Sequence, residues 1–134
     1  MAELSRAVAS LRVTGEDLIP DEVSSLLGAP PSMAYGRGDT IASKLGTVRV
    51  AKFGLWTYHA PETEPADVDA QVVELLGRLT PDIEVWRQLA STFNMSLFCG
   101  WFMERVNGGL EISPNTLMSL ADRRITLSLD IYGA

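Results

Sequence analysis

The chain has very few of the side chains on which catalysis and metal binding most often depend. It contains one histidine and one cysteine among 134 residues, and the H-E-x-x-H, G-x-S-x-G and P-loop motifs are absent from it. A single cysteine excludes an internal disulfide and is typical of a protein in a reducing compartment. The sequence therefore predicts no catalytic set, no metal site and no cofactor.

Long apolar runs and an excess of basic residues are also lacking. No apolar stretch approaches the roughly 18 to 20 residues that cross a bilayer, and Glu3, Arg6 and Arg12 interrupt the start of the chain, so we expect no export signal. The 11 basic residues are outnumbered by 17 acidic ones, which gives a formal net charge of −6. A negative net charge is unfavourable for binding nucleic acid, because affinity there comes from basic residues that neutralise phosphates. We therefore predict a cytoplasmic protein that binds neither nucleic acid nor membranes.

What is present is the composition of an ordinary folded protein. Hydrophobic residues make up 46% of the chain and charged residues 21%, as in globular domains rather than disordered segments. A chain of 134 residues is long enough to bury one hydrophobic core without disulfides or a metal. We predict a single domain over residues 1–134.

A short pattern occurs twice in the sequence. Residues 15–27 and 109–121 each begin with glycine and carry a proline at the same place, and the offset that aligns Pro20 with Pro114 also aligns Val23 with Leu117. Such self-similarity indicates one supersecondary unit used twice. We expect the two proline-started helices to take equivalent places against one sheet.

Hydrophobic periodicity and helix start signals divide the chain into alternating strands and helices. Strands are predicted at residues 6–14, 47–58, 94–104 and 125–132, and helices at residues 20–27, 67–79, 80–93 and 113–124. Residues 32–46 are rich in small and flexible residues and predict a loop or an irregular edge strand. Two strand-helix-strand halves joined by a two-helix insert predict an α+β fold with a ferredoxin-like antiparallel sheet.

The strand predicted at residues 94–104 is apolar on both faces. Cys99 lies on one side, which predicts a core residue, and Phe98 and Phe102 lie on the other. This pattern is typical of a central strand covered on both faces. We expect the inserted helices to cover the second face, with a dimer partner or a ligand as the alternatives.

In the strand predicted at residues 47–58, the apolar positions shift from even-numbered to odd-numbered residues. Val50 is an even-numbered apolar residue, whereas Phe53 and Leu55 are odd-numbered. Such a slip predicts a bulge or bend, and Gly54 is the residue expected to accommodate it.

Several segments resemble one known family when they are taken in order. They are residues 17–31 (DLIPDEVSSLLGAPP), 38–39 (GD), 54–56 (GLW), 75–76 (LL), 112–114 (ISP) and 129–132 (LDIY). With these segments the chain resembles the bacterial family known as domain of unknown function 4279 over most of its length. The resemblance implies a small bacterial cytoplasmic domain and carries no activity, cofactor or catalytic residue with it.

Four residues are the candidates for a binding site. Arg37 and Asp39 lie in a Gly-Arg-Gly-Asp segment, where glycines permit close approach to a ligand and the arginine suits an anionic group. Trp56 is predicted to lie in the core, and its place at a strand bend leaves the alternative that it is only partly covered and anchors a partner. His59 follows Trp56 and Tyr58, which favours a place beside an aromatic pocket.

These observations favour a non-catalytic binding or interaction module, immunity-type or regulatory, that holds a protein partner or a small ligand. Acidic residues are concentrated in residues 16–22 and 62–69; they suit helix N-termini and solubility, and they also suit a basic partner. The alternative is a small-substrate enzyme that uses His59 and Asp39 as acid-base groups and Arg37 to hold an anion. A homodimer whose open sheet faces meet is a third alternative.

Overall fold

The computed structural model describes residues 6–63, 66–103 and 109–133. The elements follow one another in the order β1 (Arg6–Gly15), α1 (Pro20–Leu27), β2 (Met33–Tyr35), β3 (Thr40–Ala42), β4 (Val48–Val50), β5 (Gly54–His59), α2 (Val68–Gly77), α3 (Ile83–Thr92), β6 (Asn94–Phe102), α4 (Pro114–Asp122) and β7 (Thr126–Tyr132). Glu64 of the second acidic segment and Glu104 at the end of a predicted strand lie outside the described residues. The predicted α+β class is confirmed, since the described residues form four helices, a five-stranded sheet and a two-stranded sheet.

The large sheet has the strand order β2-β5-β1-β6-β7. β1 is antiparallel to both β5 and β6, β2 is antiparallel to β5, and β7 is parallel to β6. The two predicted halves are therefore not the units of this sheet, because β5 pairs directly with β1 and β7 pairs directly with β6. The parallel strands β1 and β2 are instead separated by β5, and the parallel strands β5 and β6 by β1.

The predicted bulge or bend is confirmed as a bend at Lys52 and Phe53, where the chain passes from one sheet to the other. β3 and β4 form a separate two-stranded sheet, and after Val50 the chain enters the large sheet at Gly54. A side chain at Gly54 would lie 2.6 Å from the Leu18 carbonyl oxygen and 2.9 Å from the Leu18 Cβ. Close backbone approach, rather than a bulge, is the reason for a glycine at this position.

The hydrophobic core lies on one face of the large sheet. The odd-numbered residues of β1 and β6 share it with residues of all four helices, among them Val23, Leu27, Val72, Leu75, Trp86, Leu89 and Leu120. Even-numbered residues such as Phe98 and Phe102 do not belong to it. The prediction that the inserted helices cover the second face of β6 is thus wrong, since α2 and α3 pack into the same core as α1 and α4.

Three of the four helices begin where the sequence predicts. α1 and α4 begin at Pro20 and Pro114, and α2 follows Asp67, whose side chain accepts the Ala70 N–H at 3.0 Å. α3 instead begins at Ile83, with Asp82 as its cap, and not at the Thr80-Pro81 pair. None of the helices in the described ranges has the length and apolar character required to span a bilayer.

The two repeated segments give helices that pack against the same sheet but bury different faces. Val23 is 1% exposed, whereas Leu117, its counterpart, is 48% exposed; Leu26 is 36% exposed, whereas Leu120 is 3% exposed. The buried stripe is therefore displaced by one residue between α1 and α4, which is a rotation of about 100°. The sequence repeat predicts where these helices start, and it does not predict which side they bury.

Candidate functional site

A cleft of about 570 Å³ lies between the start of α1 and the turn that follows β2. Its lining includes two of the predicted site residues, Arg37 and Asp39, together with Glu16, Asp17 and Asp21 of the first acidic segment. Leu18, Ile19, Pro20, Ala34, Tyr35 and Gly36 complete the wall. The cleft thus joins two features that are separate in the sequence, the acidic segment before α1 and the Gly-Arg-Gly-Asp turn.

The turn that carries Arg37 and Asp39 is fixed by its own hydrogen bonds. The Asp39 carboxylate accepts the Gly36 N–H at 2.8 Å, and the Asp39 N–H is donated to the Gly36 carbonyl at 3.1 Å. Gly38 has a φ of 93°, a left-handed conformation that favours glycine. The buried Ala51 exchanges two backbone hydrogen bonds with Gly38 and Asp39, each of 2.9 Å. The residue that follows β4 therefore holds the turn in place.

The cleft has a surplus of negative charge. Glu16, Asp17, Asp21 and Asp39 supply four carboxylates against the single guanidinium of Arg37. Arg37 is 3.3 Å from an Asp17 oxygen, and both side chains are mostly exposed, at 56% and 82%. An exposed ion pair of this kind contributes only about 0–1 kcal/mol. A cation from outside can therefore compete with Arg37 for Asp17 at little cost.

Trp56 is fully buried and does not reach the cleft. Its side chain is 0% exposed, and its indole N–H is donated to the Ser24 hydroxyl in α1 at 3.0 Å. The prediction that Trp56 is a core residue is confirmed, and the alternative that it is partly covered is wrong, because the strand face on which it lies is the one that the helices cover. The aromatic residue that lines the cleft is Tyr35. The sequence reading missed Tyr35 because its strand has only three residues, too few to show alternation.

His59 lies at the far end of β5 from the cleft. Tyr35 pairs with Leu55 at the near end, and four residues of strand place His59 about 13 Å farther along. The Nδ1 atom of His59 is 2.7 Å from the Ser10 hydroxyl oxygen, and its backbone N–H is donated to the Ser32 hydroxyl at 3.0 Å. The structure therefore brings Arg37 and Asp39 together but does not bring His59 to them.

The face of the large sheet that lies away from the core carries a second polar surface. The guanidinium of Arg6 lies over the Phe102 ring and that of Arg12 over the Phe98 ring, each 4.0 Å from the ring centroid. Phe102 also stacks on Tyr132, with centroids 4.8 Å apart. In the sequence the two arginines are simply the polar members of an alternating strand. Only the cross-strand register shows that each is held flat against an aromatic ring.

Cys99 is buried in the core, as its apolar neighbours predict. Burial in apolar surroundings disfavours the thiolate and raises the pKa of the Cys99 thiol from its ordinary value of 9.0 to about 11. A thiol of this kind is a poor nucleophile at neutral pH. The Cys99 side chain contributes packing to the core. Its raised pKa also makes the free energy of unfolding depend on pH in the alkaline range.

We expect the free energy of unfolding to fall between pH 9 and 11 because of Cys99. The unfolded chain loses the thiol proton near pH 9.0, while the folded chain keeps it to about 11, so stability present below the lower value is lost as the pH rises. The loss reaches about 1.4 kcal/mol per pH unit at most. Urea denaturation at a series of pH values would measure it. A Cys99→Ala variant with the same alkaline slope as the wild type would contradict this cause.

The described ranges contain no group of three or more His, Cys, Asp or Glu side chains placed to hold a metal ion. Residues 3–134, essentially the whole chain, match the sequence profile of a family described as Domain of unknown function (DUF4279). Neither the curated proteins nor the solved structures gave a significant match. The comparisons therefore give a family and no activity.

Proposed function

We propose that this chain, which belongs to the DUF4279 family, is a non-catalytic binding module. In this proposal its acidic cleft holds a cationic group of a partner. The observation that carries the proposal is the convergence of four carboxylates and one loosely paired arginine on a cleft of about 570 Å³. The formal net charge of −6 adds long-range attraction for a basic partner and raises the rate of encounter.

The walls of the cleft suit a basic side chain better than a bare metal ion. Ile19, which is 52% exposed, and Tyr35 both line the cleft. Lysine and arginine carry an apolar stem behind the charge, which can lie along such surfaces while the head group reaches a carboxylate. When Arg37 gives up Asp17 to the incoming cation, the exchange replaces one exposed ion pair by another and adds the contacts of the stem.

The partner proposed is a protein with an exposed basic segment. An immunity-type protein that masks a basic toxin has this chemistry, and so does a regulatory domain that binds a basic peptide. The small-substrate enzyme gains no support from the geometry, because it requires His59 beside Asp39 and Arg37.

A binding assay with a labelled lysine-rich peptide tests the cleft. We expect the peptide to bind the wild type with an affinity that falls as salt is added, and to bind a variant with Asp17→Asn, Asp21→Asn and Asp39→Asn about tenfold or more weakly, since three charge contacts of about 0.5 kcal/mol each are lost. Fluorescence anisotropy would measure both affinities. A glutamate-rich peptide of the same length is expected not to bind.

The matched control changes the net charge equally but away from the cleft. Glu74→Gln, Glu84→Gln and Asp122→Asn lie on α2, α3 and α4, none of them in the cleft lining. We expect this control to bind within about twofold of the wild type at moderate salt, where charges beyond the Debye length are screened. Equal weakening by both triple variants would mean that net charge alone attracts the peptide, and the cleft proposal would fail.

We also propose that residues 6–102 form a ferredoxin-like unit, assembled differently from the sequence prediction. The support is that β1 and β2 are parallel with β5 between them, while β5 and β6 are parallel with β1 between them, as in two split strand-helix-strand units. The proposed unit would then be extended by α4 and β7. Direct backbone contacts between β5 and β6, measured by nuclear magnetic resonance in solution, would contradict it.

The proposed setting is the bacterial cytoplasm. The family resemblance implies a bacterial source, and the one cysteine of the chain is a buried thiol, which suits a reducing compartment. Fractionation of the native cells, with the protein followed by an antibody, would test the location.

A further inference from the structure

The two edges of the large sheet are protected very differently. At one edge, β2 has only three residues and follows Pro30 and Pro31, and short length and nearby prolines are devices that protect an edge strand from pairing. At the other edge, β7 has seven residues, with no proline, no lysine and a single charge, that of Asp130. An edge of this length and composition is able to pair with another strand.

The backbone groups that face outward on β7 follow from its register with β6. The Met103 N–H is donated to the Tyr132 carbonyl at 3.0 Å, so the Tyr132 backbone points toward β6. In a parallel pair, alternate residues of one strand point their N–H and C=O groups to the neighbour. The even-numbered residues of β7 therefore bond to β6. The N–H and C=O groups of Leu127, Leu129 and Ile131 point away from the sheet.

The side chains along this edge are apolar and poorly covered. Leu129 is 45% exposed, Ile131 53% and Tyr132 45%. The hydroxyl of Tyr132 is donated to the Asp130 carboxylate at 2.8 Å, so the one charge of the strand is hydrogen-bonded within the strand. An apolar strand whose outward backbone groups pair with no other described strand gains both hydrogen bonds and burial when a second strand is added to it.

We propose that β7 pairs with β7 of a second copy of this chain, antiparallel, across a two-fold axis at Leu129. Leu129 is the midpoint of Thr126–Tyr132, so this register pairs all seven residues. Leu129 then faces its own counterpart and Leu127 faces Ile131, which places the exposed apolar side chains together. The outward N–H and C=O groups of these three residues exchange hydrogen bonds with the same groups of the second copy, and the two five-stranded sheets become one.

Charge selects this register over its neighbour. An axis at Asp130 would place the two Asp130 carboxylates directly opposite each other, and like charges in that position are destabilising. An axis at Leu129 instead places Asp130 opposite Ser128, whose hydroxyl can donate to the carboxylate. The occupant is thus a second copy because the strand is complementary to itself in backbone pattern, apolar side chains and charge. This inference does not depend on the proposed function.

The first test is the molecular mass in solution, measured by light scattering and sedimentation over a range of concentrations. We expect a dimer for the wild type and a rise of about 100-fold in the dissociation constant for Leu129→Lys, because two ammonium groups would then meet at the axis in place of two leucines. The matched control is Val73→Lys, which places the same charge on an exposed site of α2 at 70% exposure. That control is expected to stay dimeric.

The second test measures the register and does not need the lysine variant to fold. Directly opposed residues in a non-hydrogen-bonded antiparallel pair have Cα atoms about 4.5 Å apart, within reach of a disulfide. In a Cys99→Ala background, we expect a mixture of Ser128→Cys and Asp130→Cys proteins to form a mixed disulfide under mild oxidation, and neither protein alone to do so efficiently.

Three results would overturn the proposal. They are a wild type that stays monomeric at all concentrations, a Leu129→Lys variant that is as dimeric as the Val73→Lys control, and crosslinking of Asp130→Cys to itself in preference to Ser128→Cys. The last result would place the axis at Asp130. A dimer in which the lysine variant dissociates and the mixed disulfide forms would establish both the edge and its register.

Discussion

Trp56→Ala is expected to lower the free energy of unfolding by about 3–5 kcal/mol, the range found when a fully buried large aromatic is truncated. Trp56 is 0% exposed and packs in the core between β5 and α1. Its indole N–H is donated to the Ser24 hydroxyl, and its ring stacks on Tyr58 with centroids 6.1 Å apart. The truncation removes the ring and leaves a cavity that the surrounding strands cannot close. Urea denaturation followed by circular dichroism would measure the change.

Two further variants separate packing from hydrogen bonding at this site. Trp56→Phe keeps an aromatic ring but loses the donor, and Ser24→Ala keeps the ring but removes the acceptor, so each is expected to cost about 1–2 kcal/mol. The double variant is expected to cost less than the sum of the two, because the singles break the same bond. If Trp56→Ala costs less than about 1 kcal/mol, the residue cannot have the buried position described for it.

Gly54→Ala is expected to cost about 3 kcal/mol, at the upper end of the range for overpacking. The added Cβ would lie 2.6 Å from the Leu18 carbonyl oxygen and 2.9 Å from the Leu18 Cβ. Both atoms are close to the backbone, so relief requires the segment before α1 to move and not a rotamer change alone. Because Leu18 also lines the acidic cleft, the same movement is expected to weaken peptide binding.

Gly77→Ala is the matched control for this substitution. Apart from its chain neighbours and the nearby backbone of its own helix, no described heavy atom lies within 4 Å of the position that its Cβ would take, and Gly77 is the last residue of α2. Alanine there is expected to leave stability unchanged or raise it by about 0.5 kcal/mol, because it reduces the freedom of the unfolded chain. Thermal denaturation of the two variants side by side would show the contrast. Equal effects would mean that the contact with Leu18 is not the cause.

The elements that could be predicted from the sequence are those whose signals are local. Pro20 and Pro114 mark the starts of two helices, and Asp67 caps a third, because each acts on the N–H groups of the next few residues. The alternation along β1 likewise predicts a strand with one buried face. These features need no knowledge of which segments meet.

Strand pairing and helix placement could not be predicted in the same way. The change of parity in residues 47–58 predicts the bend before Gly54, but it does not show that the segment divides between two sheets, since pairing depends on residues far away in sequence. The apolar second face of β6 suggested a covering helix, whereas Arg12 and Arg6 cover Phe98 and Phe102 themselves. The sequence predicts that the second face of β6 is apolar, but it does not predict which residues cover that face.

The candidate site was predictable in part for similar reasons. Arg37 and Asp39 are neighbours in a turn, so their association was local. Trp56 required knowing which face of β5 the helices cover, and His59 required the length and direction of that strand. The contribution of the first acidic segment depends on α1 starting beside the turn, a contact that no spacing in the sequence reveals.

The contrast between the short β2 and the long β7 has a consequence for how far assembly can proceed. A protein whose sheet can pair at both edges can add copies without limit, whereas a protein that pairs at one edge stops at a dimer. In the proposed dimer the β7 edge of the large sheet is used, and the three-residue β2 at the other edge is too short to continue the pairing. Molecular crowding would therefore raise the fraction of dimer without producing longer assemblies, and the sheet would not act as the seed of a fibre.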